Sequence, residues 1–538
     1  MSEVMKDEQF LPGTVRMYDR RPDGTLDESA ITLLPQPTDN PDDPLNWSPV
    51  RKYWHASLVL FIAGFTAATS NDAGSAADAQ TTDLEISYPQ INFAAGVLFI
   101  AIGYMTLLLY PIVTLYGRRL QYLICLLLGV GGSIWFALVQ TSGDLVGSQF
   151  FVGAAEACAE ALVQTSLSDI FFQHQRGTVL GLYVLANNVG TYLGPLIAGY
   201  IADSRLGWRW IGWFTVIISG MTLLVFFFGL EETSFHRPRT DKQEPPSLTL
   251  MPKMWQETMN ETSVVNIHVG ELKTFPASKA NKSYSERIRL ITPAVNLKGL
   301  GFKQYMQRLK HIFRVFTFPA VLFAGLQWGA QDAWLTFYLT LEQDNWFGPP
   351  WNYSDAADAI MNVPCVIGAL LGCFYGGYFS DVFVKWMAKR RGGIAEAEDR
   401  LWFMFPAGLI NPAGLILFGI GTNNGWSWPV PYVGLALIGF AWGCTGDLSM
   451  AYLMDAYPDM VLEGMVAVAV INNTMAMVFT FAATSWLADQ KVAAVMCEVG
   501  ALSCIFIMTA APMMYWGKSF RRWTLPRYME FIRVRDQV

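Results

Sequence analysis

Five carboxylates stand where a carboxylate is costly: Asp72, Glu156, Glu160, Asp332 and Asp447 all fall in long apolar stretches. A charged side chain at the centre of a bilayer costs about 2.5–3.5 kcal/mol on insertion scales, so such groups turn toward a cavity or a partner. No Lys or Arg lies at comparable depth. Glu156 and Glu160 are four residues apart and share one helical face, where mutual repulsion and burial favour a proton on at least one of them. An all-acidic set of this kind takes up protons or cations and disfavours a permanently anionic ligand, which needs a basic partner. Glu160 is the first choice for proton or cation binding. The alternative for each is a neutral, hydrogen-bonded packing residue. Gln327, Trp328, Gln331, Trp334 and Tyr338 share the stretch that holds Asp332, and Trp442 precedes Asp447. Their aromatic faces suit an organic cation or a planar molecule, unless they face lipid. The amide pairs Asn187/Asn188 and Asn472/Asn473 are contacts for a ligand or glue between helices. The expected site is Asp72, Glu156, Glu160, Asp332 and Asp447, with Trp328 and Asn473 as neutral contacts.

The elements that must hold these residues are helices. The chain has 538 residues, 52% hydrophobic and 15% charged, whereas soluble domains carry charge on about a quarter of their residues. Apolar segments of about 20 residues, long enough to cross the hydrocarbon core, lie at 54–77, 91–115, 120–140, 146–171, 177–202 and 208–230, and again at 316–341, 356–379, 401–421, 430–454, 463–487 and 493–516. The expected fold is an all-α polytopic membrane protein, twelve transmembrane helices in two six-helix bundles. The domain reading is a tail at 1–53, a first bundle at 54–230, a linker at 231–315 carrying Arg237, Pro238, Arg239, Lys242, Pro245 and Pro246, a second bundle at 316–516, and a tail at 517–538. Residues 303–314 alternate so that Tyr305, Met306, Leu309, Ile312 and Phe313 fall near one face, as in a helix lying on a membrane surface.

The distribution of Lys and Arg sets the orientation. With both termini cytoplasmic, the inner face receives Arg51, Lys52, Arg118, Arg119, Arg176, Lys385, Lys389, Arg390, Arg391, Arg400 and the basic tail, and the outer loops only Arg205, Arg209 and Lys491. One inner loop, 455–463, is acidic against this trend. Asn352 heads an N-glycosylation tripeptide in an outer loop; Asn46, Asn260, Asn281 and Asn472 also match but fall elsewhere. The first fifty residues lack the signature of a cleaved signal, so the first span is expected to direct insertion. The seven cysteines lie in apolar segments and read as free buried thiols. The net charge of −7 and the absence of basic runs interleaved with aromatics exclude a nucleic-acid surface. No nucleotide loop, zinc motif or acyl-transfer motif occurs, so no cofactor, metal or enzymatic activity is expected.

In the fifth span, Gly190 and Gly194 stand four apart with Pro195 next and Gly199 beyond; Gly368, Gly372 and Gly376 repeat the spacing in the eighth. Such faces admit close helix approach, and the expectation is a sliding contact between the two halves. The Gly190 to Gly199 segment resembles the antiporter motif of the major facilitator superfamily. The segment 40–48 (NPDDPLNWS) is similar to a pre-membrane signature of its fungal branch, which is related to drug:proton antiporters and the yeast polyamine/cation permease. Gly117, Arg118 and Arg119 resemble the end of the family's loop motif, and Gly377 to Asp381 its counterpart in the second half. The segments 169–177 and 207–210 match too. Two positions depart from the pattern: Thr114 where the loop motif is acidic, and Gln149 where the family often has a proton-coupling arginine.

The resemblance implies a secondary transporter working by alternating access: proton-coupled efflux of a drug, toxin or secondary metabolite is the leading expectation, with proton-coupled uptake of polyamines or other organic cations as the alternative and a non-transporting nutrient sensor as the rival from another class. Its partners are a small-molecule substrate, protons and the lipid bilayer, in a monomer of the plasma membrane.

Overall fold

A computed structural model describes residues 11–20, 26–31, 33, 35–235, 282–294, 296–346, 349–353, 357 and 360–537. The basic and proline-rich part of the linker lies outside the described residues. Twelve long helices dominate: α1 (Pro49–Asn71), α2 (Tyr88–Tyr116), α3 (Arg118–Ala137), α4 (Ser142–Ile170), α5 (Arg176–Ala202), α6 (Arg209–Gly229), α7 (Pro319–Asn345), α8 (Asn362–Arg390), α9 (Ala397–Asn423), α10 (Val430–Ala456), α11 (Val461–Asp489) and α12 (Val492–Arg535).

Local chemistry starts and stops them. Thr141 caps α4, accepting from the Asp144 amide at 3.2 Å, while Asp144 accepts from the Thr141 amide at 3.1 Å. This reciprocal pair satisfies free amides of the first turn. Proline opens α1 and α7 in the first turn, where a missing N–H costs nothing. Gly117, at φ +102°, turns the chain from α2 directly into α3, a backbone shape that side chains rarely adopt. Eight of the helices are long and apolar enough to span a membrane by length and composition alone, and α7 joins them when paired with the preceding helix across an 85° bend. The remaining three, α1, α4 and α5, carry Ser70, Glu156, Glu160 and Asn187. Polar groups that belong to a central site lower the apolarity of the helices that hold them.

Each half repeats one packing pattern. In the first, α1 packs on α5, α2 on α4, and α3 on α4 and α6; in the second, α7 packs on α11, α8 on α10, and α9 on α10 and α12. The halves meet along α2–α11 and along α5 with α8 and α10. A strand, Thr14–Arg16, pairs antiparallel with Ile394–Glu396 between α8 and α9. Arg521, near the end of α12, pairs with Glu396 and Glu398 at 2.9 and 2.6 Å. Both ends of the chain thus meet on one face, called the terminal face below.

Two expectations change. Gly190 and Gly194 do not face the other half: a methyl on either would overlap a carbonyl oxygen of α1, that of Gly64 or Ala68 respectively,. Gly368 and Gly372 lie just as tightly on α10. These glycines bring helices together within a half, because each half needs its own close-packed pairs before it can move as a body. Contact between α5 and α8 falls to other glycines: a methyl on Gly377 would lie 3.1 Å from the Gly177 carbonyl oxygen. Among the cysteines, five are buried, but Cys497 is exposed and Cys504 half-buried.

The helix at Phe302–Ile312 is present, but it docks through a polar stripe. Gln304, Arg308 and Ile312 are buried at four-residue spacing, and Tyr305 donates to the Leu108 carbonyl at 2.7 Å. Phe302, Met306 and Phe313 remain exposed.

Candidate functional site

Three of the five carboxylates come together at the junction of the halves. Glu156 on α4 accepts a hydrogen bond from Ser70 near the end of α1. Glu160, one turn along, senses both Glu156 and Asp332 of α7. Tyr183 of α5, buried at 1% exposure, stands beside all three. Asp332 accepts from the Trp442 indole of α10 at 3.0 Å. That indole stacks on Trp328 with centroids 5.1 Å apart, and meets Tyr192 of α5 edge-on at 6.1 Å. Asn472 of α11 is buried and faces Glu160 and Asp332. The cluster therefore draws on α1, α4 and α5 from one half and α7, α10 and α11 from the other. Chemically it offers three carboxylates, the Asn472 amide and an indole wall. Glu156 and Glu160 are 6% and 8% exposed, so water has little access while the halves are closed.

The other expected site residues stand apart. Asp72 begins the turn after α1 and takes a 3.5 Å hydrogen bond from Thr215 of α6. Asp447 lies on α10 beside Gly181 of α5 and Gly376 and Gly377 of α8. Asn473 donates to its own helix, at the Ala469 carbonyl, and packs against Gly103 of α2. The amide turned toward the carboxylates is Asn472, one position and about 100° around the helix from Asn473.

Nearer the terminal face an ion network joins α5 to α8, α9 and α10. Arg400 pairs with Asp381 and with Asp455, both at 2.7 Å. Asp381 also accepts from the Thr178 amide and hydroxyl, each at 2.8 Å, at the start of α5, where free amides and the helix dipole favour an anion. Arg176 donates to the Met454 carbonyl at 3.1 Å and lies 3.8 Å from Asp455. The first-half loop motif is different. Arg118 pairs with Asp169, its backbone amide and that of Arg119 donate to Glu232 at 3.1 Å, and Thr114 donates to the Pro111 carbonyl of its own helix. Asp455, which opens the acidic loop that ran against the charge trend, is thus neutralised by Arg176 and Arg400. That mismatch, with Asp381 in the second-half loop motif, was the trace of the network in the sequence; which arginine each acid pairs with depends on the packing of four helices.

Among the described residues, His174 and His311 lie outside the spanning segments. Burial, with help from Arg314, pushes His311 down to about 4, and His311 stacks on Phe531 at 4.3 Å. Burial and Lys385 push His174 down as well. At about 4, His311 is neutral near neutral pH.

Residues 56–484 match the model of the Major Facilitator Superfamily. The chain belongs to this superfamily. Its relatives include an MFS-type transporter of Schizosaccharomyces pombe, 50% identical over 98% of this chain and 95% of that protein. Protein HOL1 of Saccharomyces cerevisiae is 45% identical over 98% of both. Among solved structures, the proton:xylose symporter XylE is similar over 86% of this chain and 96% of its own, with a TM-score of 0.56 at 12% identity, a likeness of fold. The protein is accordingly a multi-pass membrane transporter of the major facilitator fold, with fungal relatives, and not an enzyme.

Proposed function

We propose that this major facilitator is a proton-coupled transporter of an organic cation carrying more than one amine, of polyamine type. The observation that carries the reading is the meeting of Glu156, Glu160 and Asp332 beside the Trp328–Trp442 wall. Protonated amines pair with carboxylates, and the methylenes between them lie on indole faces. Three acids with no lysine or arginine among them repel one another when the site is empty. Protons or a polycation relieve that repulsion, so the two ligands compete. Because both halves contribute, the site is complete only when they close on cargo, as alternating access requires.

Direction follows from the charge of the cargo. With the terminal face cytoplasmic and the protein in the plasma membrane, the inside-negative potential draws a polycation inward by about 2.3 kcal/mol per charge per 100 mV. Export would have to oppose that pull, and Gln149 stands where proton-coupling relatives often carry arginine. Uptake is therefore favoured over efflux. The Gly190 to Gly199 segment speaks for efflux by resemblance, but its two leading glycines serve packing on α1. Asn352, exposed on the face opposite the termini, would carry a glycan; Ser354 of its tripeptide lies outside the described residues.

The test is uptake of labelled spermidine by sealed vesicles or by cells expressing the protein. Removing one partner of a buried charge pair costs about 2–5 kcal/mol, so Glu160→Gln is expected to lower uptake at least about tenfold. Full, pH-driven uptake by this variant would overturn the site. Binding of spermidine without flux would point instead to a sensor.

A further inference from the structure

Asp447, like Asp72, touches neither the cargo cluster nor the ion network, but unlike Asp72 it lies at the crossing between the halves. It is 0% exposed, and neither carboxylate oxygen has a hydrogen-bond partner among the described residues. It is placed where α5 and α8 cross between the halves: methyl groups on Gly181, Gly376 and Gly377 would lie 3.3, 3.3 and 3.1 Å from its Oδ2. Along α10 it follows Trp442 by five residues, about 7.5 Å, and precedes Asp455 by eight, about 12 Å. It thus sits between the cargo site and the terminal-face network. The charged and titratable groups around it are Arg400 from α9, Asp381 and Cys373 from α8, and Cys444 from its own helix. The approach from α5 is glycine. Arg400 is already held by Asp381 and Asp455 at 2.7 Å each.

An anion with no donor in a dry site is costly, and the carboxylic acid form is the one that fits such a place. We propose that Asp447 is a proton-binding latch of the terminal-face gate: it carries a proton while α5 and α8 are closed and gives it to water when they part. Opening exposes the carboxyl as the Gly181 and Gly377 backbones separate; the proton leaves to solvent and the anion is hydrated. Closing requires a proton to return. Acid on the terminal side therefore holds the gate shut, and alkali favours opening. The cargo cluster is a separate set of groups, so this role rests on the transporter reading but makes its own prediction.

Cys373, 4% exposed beside Asp447, reports on the crossing, and exposed Cys497 serves as an internal control. The experiment is N-ethylmaleimide labelling of the full-length protein in vesicles, with Cys373 modification read by peptide mass spectrometry as a ratio to Cys497. In the wild type the ratio is expected to rise several-fold between about pH 6 and pH 8. Asp447→Asn, a permanent mimic of the protonated latch, is expected to stay low at both, with Asp447→Glu restoring the rise. Labelled spermidine binding separates the outcomes. Asp447→Asn should still bind it, which also reports a folded protein, whereas Glu160→Gln should not. A wild-type ratio that ignores pH, an Asp447→Asn ratio that still rises, or loss of spermidine binding in Asp447→Asn as complete as in Glu160→Gln would each overturn the latch. Failure of the wild type to bind spermidine would overturn the cargo instead, leaving the labelling arm to decide the latch.

Discussion

The two crossings that join the halves are built from different materials. At α5–α8 the backbones of Gly177 and Gly377 nearly touch, and Arg176, Asp381, Arg400 and Asp455 are buried around them. At α2–α11 side chains carry more of the contact, although Gly103 brings one backbone close, an added methyl there lying 3.1 Å from the Ala469 carbonyl oxygen. Phe93 meets Phe481 at 5.9 Å, Asn92 donates to Thr484 at 2.9 Å, and Tyr110 donates to Glu463 at 3.2 Å. Buried ion pairs hold only in good geometry and leave costly orphans when broken. Aromatic packing loses contact gradually. The α5–α8 crossing therefore behaves as a switch and α2–α11 as a bearing, and Thr114 explains part of the asymmetry: the first half lacks an acid to match Asp381.

The largest effect should come from Arg400→Ala, which strands Asp381 and Asp455. Breaking a buried pair costs about 3–5 kcal/mol, so spermidine flux should fall to background and the melting temperature should drop. The matched change at the bearing, Glu463→Gln, keeps an acceptor for Tyr110 and loses one 3.5 Å contact with partly exposed Arg535. Its flux should stay near wild type. Equal losses in the two variants would break the comparison.

Steric probes come next. Gly377→Val pushes a branched side chain against Asp447 and the Gly177 carbonyl, both fixed, and should hold the gate ajar, raising Cys373 labelling at every pH. At the bearing, a methyl on Gly103 would lie 3.0 Å from the Asn473 Cβ. Overpacking of that kind costs about 1–3 kcal/mol, so Gly103→Ala should lower thermal stability while leaving the pH response of labelling unchanged.

How much of this could be read from residues alone follows from range. Helix count depends on local apolarity and was legible, and so, from the cost of burying charge, was the presence of acids inside the spans. Which acids meet was not. Glu156 and Glu160 are related by helical spacing, but Asp332 joins them only through the packing of α7 on α11 and α10. The same limit separated Asn472 from Asn473, since adjacent residues on a helix point about 100° apart and sequence does not say which direction is inward. The glycine faces of α5 and α8 signalled close approach correctly but not to whom; their partners are α1 and α10.

That amide pair gives a finer test, because the two residues divide between cargo and bearing. Asn472→Ala removes a group facing Glu160 and Asp332. A hydrogen bond in a charged site contributes about 1.5–3 kcal/mol, so spermidine affinity should weaken about tenfold. Asn473→Ala loses a bond to its own helix and should change affinity little. The reverse ranking would place the inward face of α11 at Asn473.

The smallest effect is a deliberate null at the bearing. His311 lies on the helix that packs on α2, stacked on Phe531, and burial followed by the charge of Arg314 lowers it to about 4 from the ordinary 6.5. A histidine lowered this far is neutral throughout the range from about pH 5 to pH 8. It gains its proton only below that range and carries none of the charge change on which transport would depend. His311→Gln should therefore leave the pH profile of spermidine uptake superimposable on wild type. A profile that shifted would move proton sensing from the α5–α8 crossing to the α2–α11 side.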